Sequence, residues 1–186
     1  MKKTLLIILV LAVVLIGWMW SSYNRLVVAN ENVDTQWAQV ETQYQRRFDL
    51  IPNLVESVKS VLTQEQKVFG DLAAARASYS GATTVNQKAE AATQVESALS
   101  RLLVIMENYP QLKSNETVQT FMSQLEGTEN RVSVERNRFN EIVNTYNIVI
   151  KRLPTNILAS MFGFTERAYF KAASGAESAP QVDLKL

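Results

Sequence analysis

Arg46 and Arg47 stand beside Asp49 and Pro52 in the stretch Arg-Arg-Phe-Asp-Leu-Ile-Pro-Asn-Leu-Val, residues 46–55. Two adjacent cations next to an acid could hold an anion or a lipid headgroup. Glu126, Glu129 and Glu135 are the candidates for paired-carboxylate chemistry. Beyond these the chemistry is sparse. The chain has no His and no Cys. That removes the commonest general base, the thiol nucleophile and the usual ligands of zinc and of di-iron carboxylate bundles. No Gly-rich phosphate loop occurs. Scattered glutamates on a helix are the ordinary composition of a solvated face, so the expectation is a protein that is not an enzyme and has no cofactor or metal. The formal net charge of +1 gives no electrostatic signature of a nucleic-acid partner.

The elements that must position these residues are helices. Apolar residues make up 47% of the 186, and Gly and Pro are few, which favours long regular elements within one domain. From Leu26 a stripe advances by alternating steps of four and three through Val33, Trp37, Val40, Tyr44, Ile51, Leu54, Val58, Val61, Val68, Leu72 and Ala75. Asn30, Arg47 and Glu65 are its polar interruptions. Pro52 falls inside the stripe. In one reading Asp49 caps a restarted helix with Pro52 in its first turn, and the chain makes a hairpin there. In the other, one kinked helix of about 85 Å runs from Ser22 to Ser78, and its first half needs partners from another chain. The hairpin is favoured, because it covers Val33, Trp37, Val40 and Tyr44 within one chain.

Tyr79 to Asn86 reads as a loop. A third helix follows, with Ala92, Val95, Leu99, Leu102 and Met106 on one stripe, and Tyr109-Pro110 ends it. Ser114 or Asn115 caps the longest helix, from about Glu116 to Leu153. Its stripe is Val118, Leu125, Val132, Phe139, Tyr146 and Leu153. The companion stripe is broken by Thr128 and Glu135. Pro154 stops the helix, and residues 157–164 form one short apolar turn. A disordered tail is expected over residues 166–186.

Arg47, Glu65 and Glu135 lie on apolar stripes, so each head group must be paired or reach water. A structural polar layer is the expectation, leaving Arg46 free for an outside contact. Asn130, Asn137 and Asn144 recur every seven residues, with Asn140 and Asn147 on an adjacent stripe. They form either a neutral solvated face or a hydrogen-bonding interface to a partner or second subunit.

Lys2 and Lys3 precede an unbroken apolar run over residues 4–20. The run is at the short end of what spans a bilayer but long for a signal peptide. Trp18, Met19 and Trp20 stand where a small-x-small cleavage site would lie. Trp18, Trp20 and Tyr23 suit an interfacial aromatic belt. The reading is an uncleaved anchor over residues 1–22. Lys2 and Lys3 on one side against Arg25 on the other put the N-terminus in the cytoplasm and the body outside.

Several separated motifs carry a resemblance. They are Tyr23-Asn24-Arg25-Leu26-Val27, the stretch 46–55, Glu107-Asn108-Tyr109-Pro110-Gln111-Leu112-Lys113-Ser114-Asn115, Thr128-Glu129-Asn130-Arg131-Val132, Arg138-Phe139-Asn140, Tyr146-Asn147, Pro154 and Phe162-Gly163-Phe164. In this order the sequence resembles the LemA family of bacterial membrane-anchored helical proteins. Phe139 stands where a tyrosine is usual, and Phe48 where a histidine is common. The resemblance implies an all-α fold: an N-terminal transmembrane helix, then an up-and-down four-helix bundle over residues 23–165. It carries no catalytic activity and no active-site residues. Its relatives include a magnetosome membrane protein, and members often accompany membrane proteases. The expectation is a single-pass protein of the bacterial inner or cytoplasmic membrane, with its bundle periplasmic or extracellular. It would act as a scaffold or interaction protein that can self-associate, or as an accessory to a membrane protease or an envelope-stress system.

Overall fold

The computed structural model describes residues 2–170. Among them are six helices and no strand: α1 (Lys2–Lys59), α2 (Gln66–Gly81), α3 (Val85–Glu107), α4 (Pro110–Lys113), α5 (Glu116–Lys151) and α6 (Thr155–Phe162). Contacts divide the chain into two compact units. One comprises residues 2–40 and 134–169, the other residues 41–133 with Phe170.

The helix restart expected at Asp49 and Pro52 does not occur. α1 runs unbroken through Pro52 to Lys59, and the chain reverses over residues 60–65. A proline inside a helix costs about 3 kcal/mol. Continuing the helix keeps Ile51, Leu54 and Val58 fully buried, and each such side chain contributes roughly 1.5–3 kcal/mol. The stripe therefore outweighs the proline, which lies on the exposed side of the helix. Asp49 is also exposed, and its Oδ1 accepts a 2.7 Å bond from Gln45 one turn back rather than capping anything. In the reversal, Val61 and Leu62 both donate backbone bonds to the Val58 carbonyl, and Leu62 is fully buried.

Residues 41–133 form an up-and-down four-helix bundle from the second part of α1, then α2, α3 and the first part of α5. Neighbouring helices are antiparallel. Tyr79, near the end of α2, packs on Tyr44 and Phe48 of α1 at ring-centroid distances of 5.8 and 4.7 Å. Asp71 of α2 faces Arg101 of α3 at 3.8 Å. The loop expected over Tyr79–Asn86 shrinks to Ala82–Thr84, because α3 has a capping box. The Thr84 hydroxyl accepts from Gln87 N at 3.2 Å, and the Gln87 side chain accepts from Thr84 N at 3.2 Å. Asn115 Oδ1 accepts from Val118 N at 3.2 Å and starts α5, one of the two caps expected there.

In the unit of residues 2–40 and 134–169, α1 and α5 pair through Trp37 and Phe139, whose rings meet edge to face at 5.3 Å. α6 ends at Gly163, whose φ of 76° is the left-handed conformation glycine adopts freely. The segment after it is ordered, against the disorder expected from residue 166. Asn147 accepts from Arg167 N at 2.9 Å and donates to Arg167 O at 2.9 Å. The Arg167 guanidinium reaches Asn30 and Asp34 of α1, each at 2.9 Å. In the bundle unit Phe170 is buried and stacks on Tyr44. The rest of the expected tail, residues 171–186, lies outside the described residues.

Candidate functional site

Arg47 is the one buried charged side chain among the described residues. Its Nη1 contacts Glu129 of α5 closely and lies 3.7 Å from Glu96 of α3. Glu96 also accepts from the Tyr44 hydroxyl at 3.3 Å. A little further along, Lys88 of α3 is in close contact with Glu41 of α1. Arg47, Glu96, Glu129 and Tyr44 thus tie α1, α3 and α5 together inside the bundle. A cation held between two carboxylates of different helices has the geometry of a bundle cross-link.

The expected set of Arg47, Glu65 and Glu135 is corrected in its acidic members. Glu65 sits at the α1–α2 reversal as the residue before α2. Glu135 is held in the other unit, where Gln36 Nε2 donates to it at 2.7 Å and Arg138 Nη1 at 2.8 Å. The actual partners stand next to stripe positions: Glu96 follows Val95, and Glu129 follows Thr128. Their sign and their place at the edge of the apolar seam are the signals that could have found them. Thr128, a polar break in its stripe, is satisfied within its own helix, its hydroxyl donating to Leu125 O at 2.8 Å. Arg46 is exposed, as its position off the stripe implies.

The five asparagines of α5 do not act as one face. Asn130, Asn137 and Asn144 are exposed and Asn140 is half-buried. Asn147 is buried and spends both its amide oxygen and its amide nitrogen on the Arg167 backbone. It is a clamp for the chain after α6, not a surface for a partner. Asn144 Oδ1 accepts from the Tyr169 hydroxyl at 3.2 Å. Arg167, the other half of this device, carried no signal in the sequence, since it follows the last periodic element.

An open groove of about 760 Å³ lies between α3, α4 and α5 in the bundle unit. Leu99, Leu103, Met106, Val118, Met122 and Leu125 give it apolar walls, and Arg47 and Glu129 reach it as well. Ser100 and Ser123 line it too, with no histidine anywhere in the chain to activate them. Among the described residues no group of three or more Asp, Glu, His or Cys is placed to hold a metal ion.

Two phenols are shifted. Burial pushes the Tyr79 hydroxyl far above the ordinary phenol range, and Glu41 adds to the effect. That hydroxyl is buried with no hydrogen-bond partner. Tyr146 is also raised, chiefly by burial; Arg167 opposes the shift and Asp34 adds to it. Its hydroxyl donates to Thr165 O at 3.0 Å, a structural use.

The N-terminal part of α1 is the one helical stretch among the described residues long and apolar enough to cross a membrane, and none of its apolar window is buried among them. Leu5 through Ile16 expose large aliphatic side chains in succession, a surface far larger than a soluble monomer tolerates. An apolar, uncovered helix that continues into an all-α bundle fits a single-pass membrane protein. The profile of the LemA family matches residues 36–184, and the chain belongs to that family. It is similar to the magnetosome proteins MamQ 2 and MamQ 1 of Paramagnetospirillum magneticum. Each is 27% identical over 194 residues, spanning 90% of this chain and 71% of the relative. The magnetosome protein MamQ of Magnetospirillum gryphiswaldense is 27% identical over 174 residues, or 80% of this chain and 64% of its own.

Proposed function

We propose that the protein is a non-enzymatic, membrane-tethered scaffold of the bacterial cell envelope. Its N-terminus would be cytoplasmic and its bundle outside, and its helical surface would be the working part. The observation that carries this is the continuity of α1: one unbroken helix holds both the apolar run and the packing stripe of the body. A tether joined to its body without a flexible linker holds the body close to one membrane surface, which raises the effective concentration of partners there. The Lys2 and Lys3 bias supports the orientation. The pairing of Arg47 with two carboxylates supports a structural use of the buried charge.

The face offered for self-association is the exposed side of α5, where Asn137 and Asn144 alternate with the exposed apolar residues Val134 and Ile148. Aliphatic side chains among neutral amides, without a like-charge cluster, suit contact with a second copy. Crosslinking of the full chain in native membranes tests the reading. A scaffold gives mainly self-adducts, and these are lost in the Asn137→Lys, Asn144→Lys double variant. Recovery of a membrane protease with no self-adduct would replace the scaffold by the accessory role.

A further inference from the structure

We propose that α6 lies in the membrane surface, its apolar edge inserted into the leaflet from which the anchor emerges. The inference rests on the tether reading of α1 and adds a second membrane contact to it.

α6 reads Thr-Asn-Ile-Leu-Ala-Ser-Met-Phe and carries no charge. Its two sides differ in what they meet. Leu158 and Ala159 are buried in the protein. Ile157 and Met161, one turn apart on the same face, are 58% and 66% exposed. Leu153, just before the helix, is 78% exposed and Phe162 51%. Single exposed apolar residues are ordinary, but four large ones within ten residues form a patch that requires a cover.

The place of the patch identifies that cover. The Phe162 ring packs on Tyr23 at a centroid distance of 4.7 Å, and Phe164 at 6.1 Å. Tyr23 is three residues beyond Trp20, where the apolar run ends, a rise of about 4.5 Å along α1. The end of α6 is therefore held at the level where the anchor passes from acyl chains to headgroups, the level aromatic residues favour. A helix with one exposed apolar side settles at this depth with that side buried at the headgroup–acyl boundary. Exposed Arg152 directly precedes the patch and exposed Arg25 follows Tyr23 by two residues on α1; both suit anionic headgroups, while Lys151 is engaged by Glu166 at 2.8 Å.

The helix is also held in place. The amide of Phe164 returns to Ala159 O at 2.9 Å, turning the chain at Gly163. Tyr146 holds Thr165 and Asn147 holds Arg167 immediately after it. The apolar edge is thus presented in a fixed position and need not fold on contact.

The absence of native cysteine makes the test direct. Single cysteines at Ile157, Met161, Leu11 and Asn86 in the full chain are labelled with a small fluorophore. Each chain is reconstituted into phosphatidylethanolamine–phosphatidylglycerol vesicles whose acyl chains carry a nitroxide. Asn86, exposed at the start of α3 and outside the face offered for self-association, is the aqueous control. Labels at Ile157 and Met161 are expected to be quenched by the lipid nitroxide several-fold more than at Asn86, and shielded from aqueous iodide. Their signal should not depend on protein density. Iodide access at Ile157 with Leu11 still quenched by lipid overturns this inference and leaves the tether intact. Access at both positions overturns the tether as well. Shielding that appears only at high protein density, with Ile157–Ile157 crosslinks, assigns the patch to a second copy and overturns the membrane assignment.

Discussion

Arg47 shows how much of a residue's role its own position reveals. Its place on an apolar stripe announces a buried or snorkelling cation. Its partners are hidden, because Glu96 and Glu129 reach it from beside their stripes and a long side chain can choose among several acids. Replacing Arg47 by Met leaves the carboxylates facing each other. Glu129 is 46% exposed, so water relieves part of that cost. The loss expected in denaturant unfolding is roughly 2 kcal/mol, below the range for a fully buried pair. Tyr79→Phe should have the opposite sign. It removes a buried hydroxyl that has no partner, so stability near neutral pH should be unchanged or higher. Burial and Glu41 disfavour the phenolate in the folded state, so the parent keeps its full stability below the unfolded value near 10 and loses stability as pH rises from there toward the folded value. The variant's Tm should therefore fall less than that of the parent in scans above about pH 10. Asn147→Ala should cost about 2 kcal/mol by unpairing both backbone groups of Arg167, and should open the segment after α6 to protease.

The long elements were legible because their apolar period is strict. α3 and α5 stop at the prolines the sequence marks, and Asn115 caps α5 as its type and place imply. The α1–α2 boundary was misplaced because a local rule, proline against helix, competes with a summed one, the burial of every stripe residue. The local rule loses where Ile51, Leu54 and Val58 are all buried on the side away from Pro52. Pro52→Ala should accordingly raise stability, by roughly 1–3 kcal/mol in thermal unfolding. A helix restart would predict the reverse, since proline in a first turn is favourable. The start of α3 had a local signature as well, Thr84 with Gln87 three residues on. The order after Gly163 had none, because Asn147 and Arg167 act across 20 residues through backbone groups.

At the scale of the molecule, α1 carries both the apolar run and the first packing stripe of the body, and the buried polar groups are cross-braces between helices. In the proposed reading, what the chain offers to partners is surface: the exposed side of α5 and the apolar edge of α6. The class of protein was legible from the apolar run and the ordered motifs. The interaction surfaces were only partly so, since the asparagine periodicity does not tell the exposed Asn137 and Asn144 from the buried clamp at Asn147. In the proposed function an uncleaved anchor holds the bundle outside the cytoplasm. Thiol labelling of the full chain in whole cells tests it, with single cysteines at Lys3 and Asn86 and a membrane-impermeant maleimide. Asn86→Cys is expected to react in intact cells with a permeable outer barrier, and Lys3→Cys to be retained and to react only after lysis. Labelling of Asn86→Cys that requires lysis, or loss of the Lys3→Cys site from the mature chain, would contradict it.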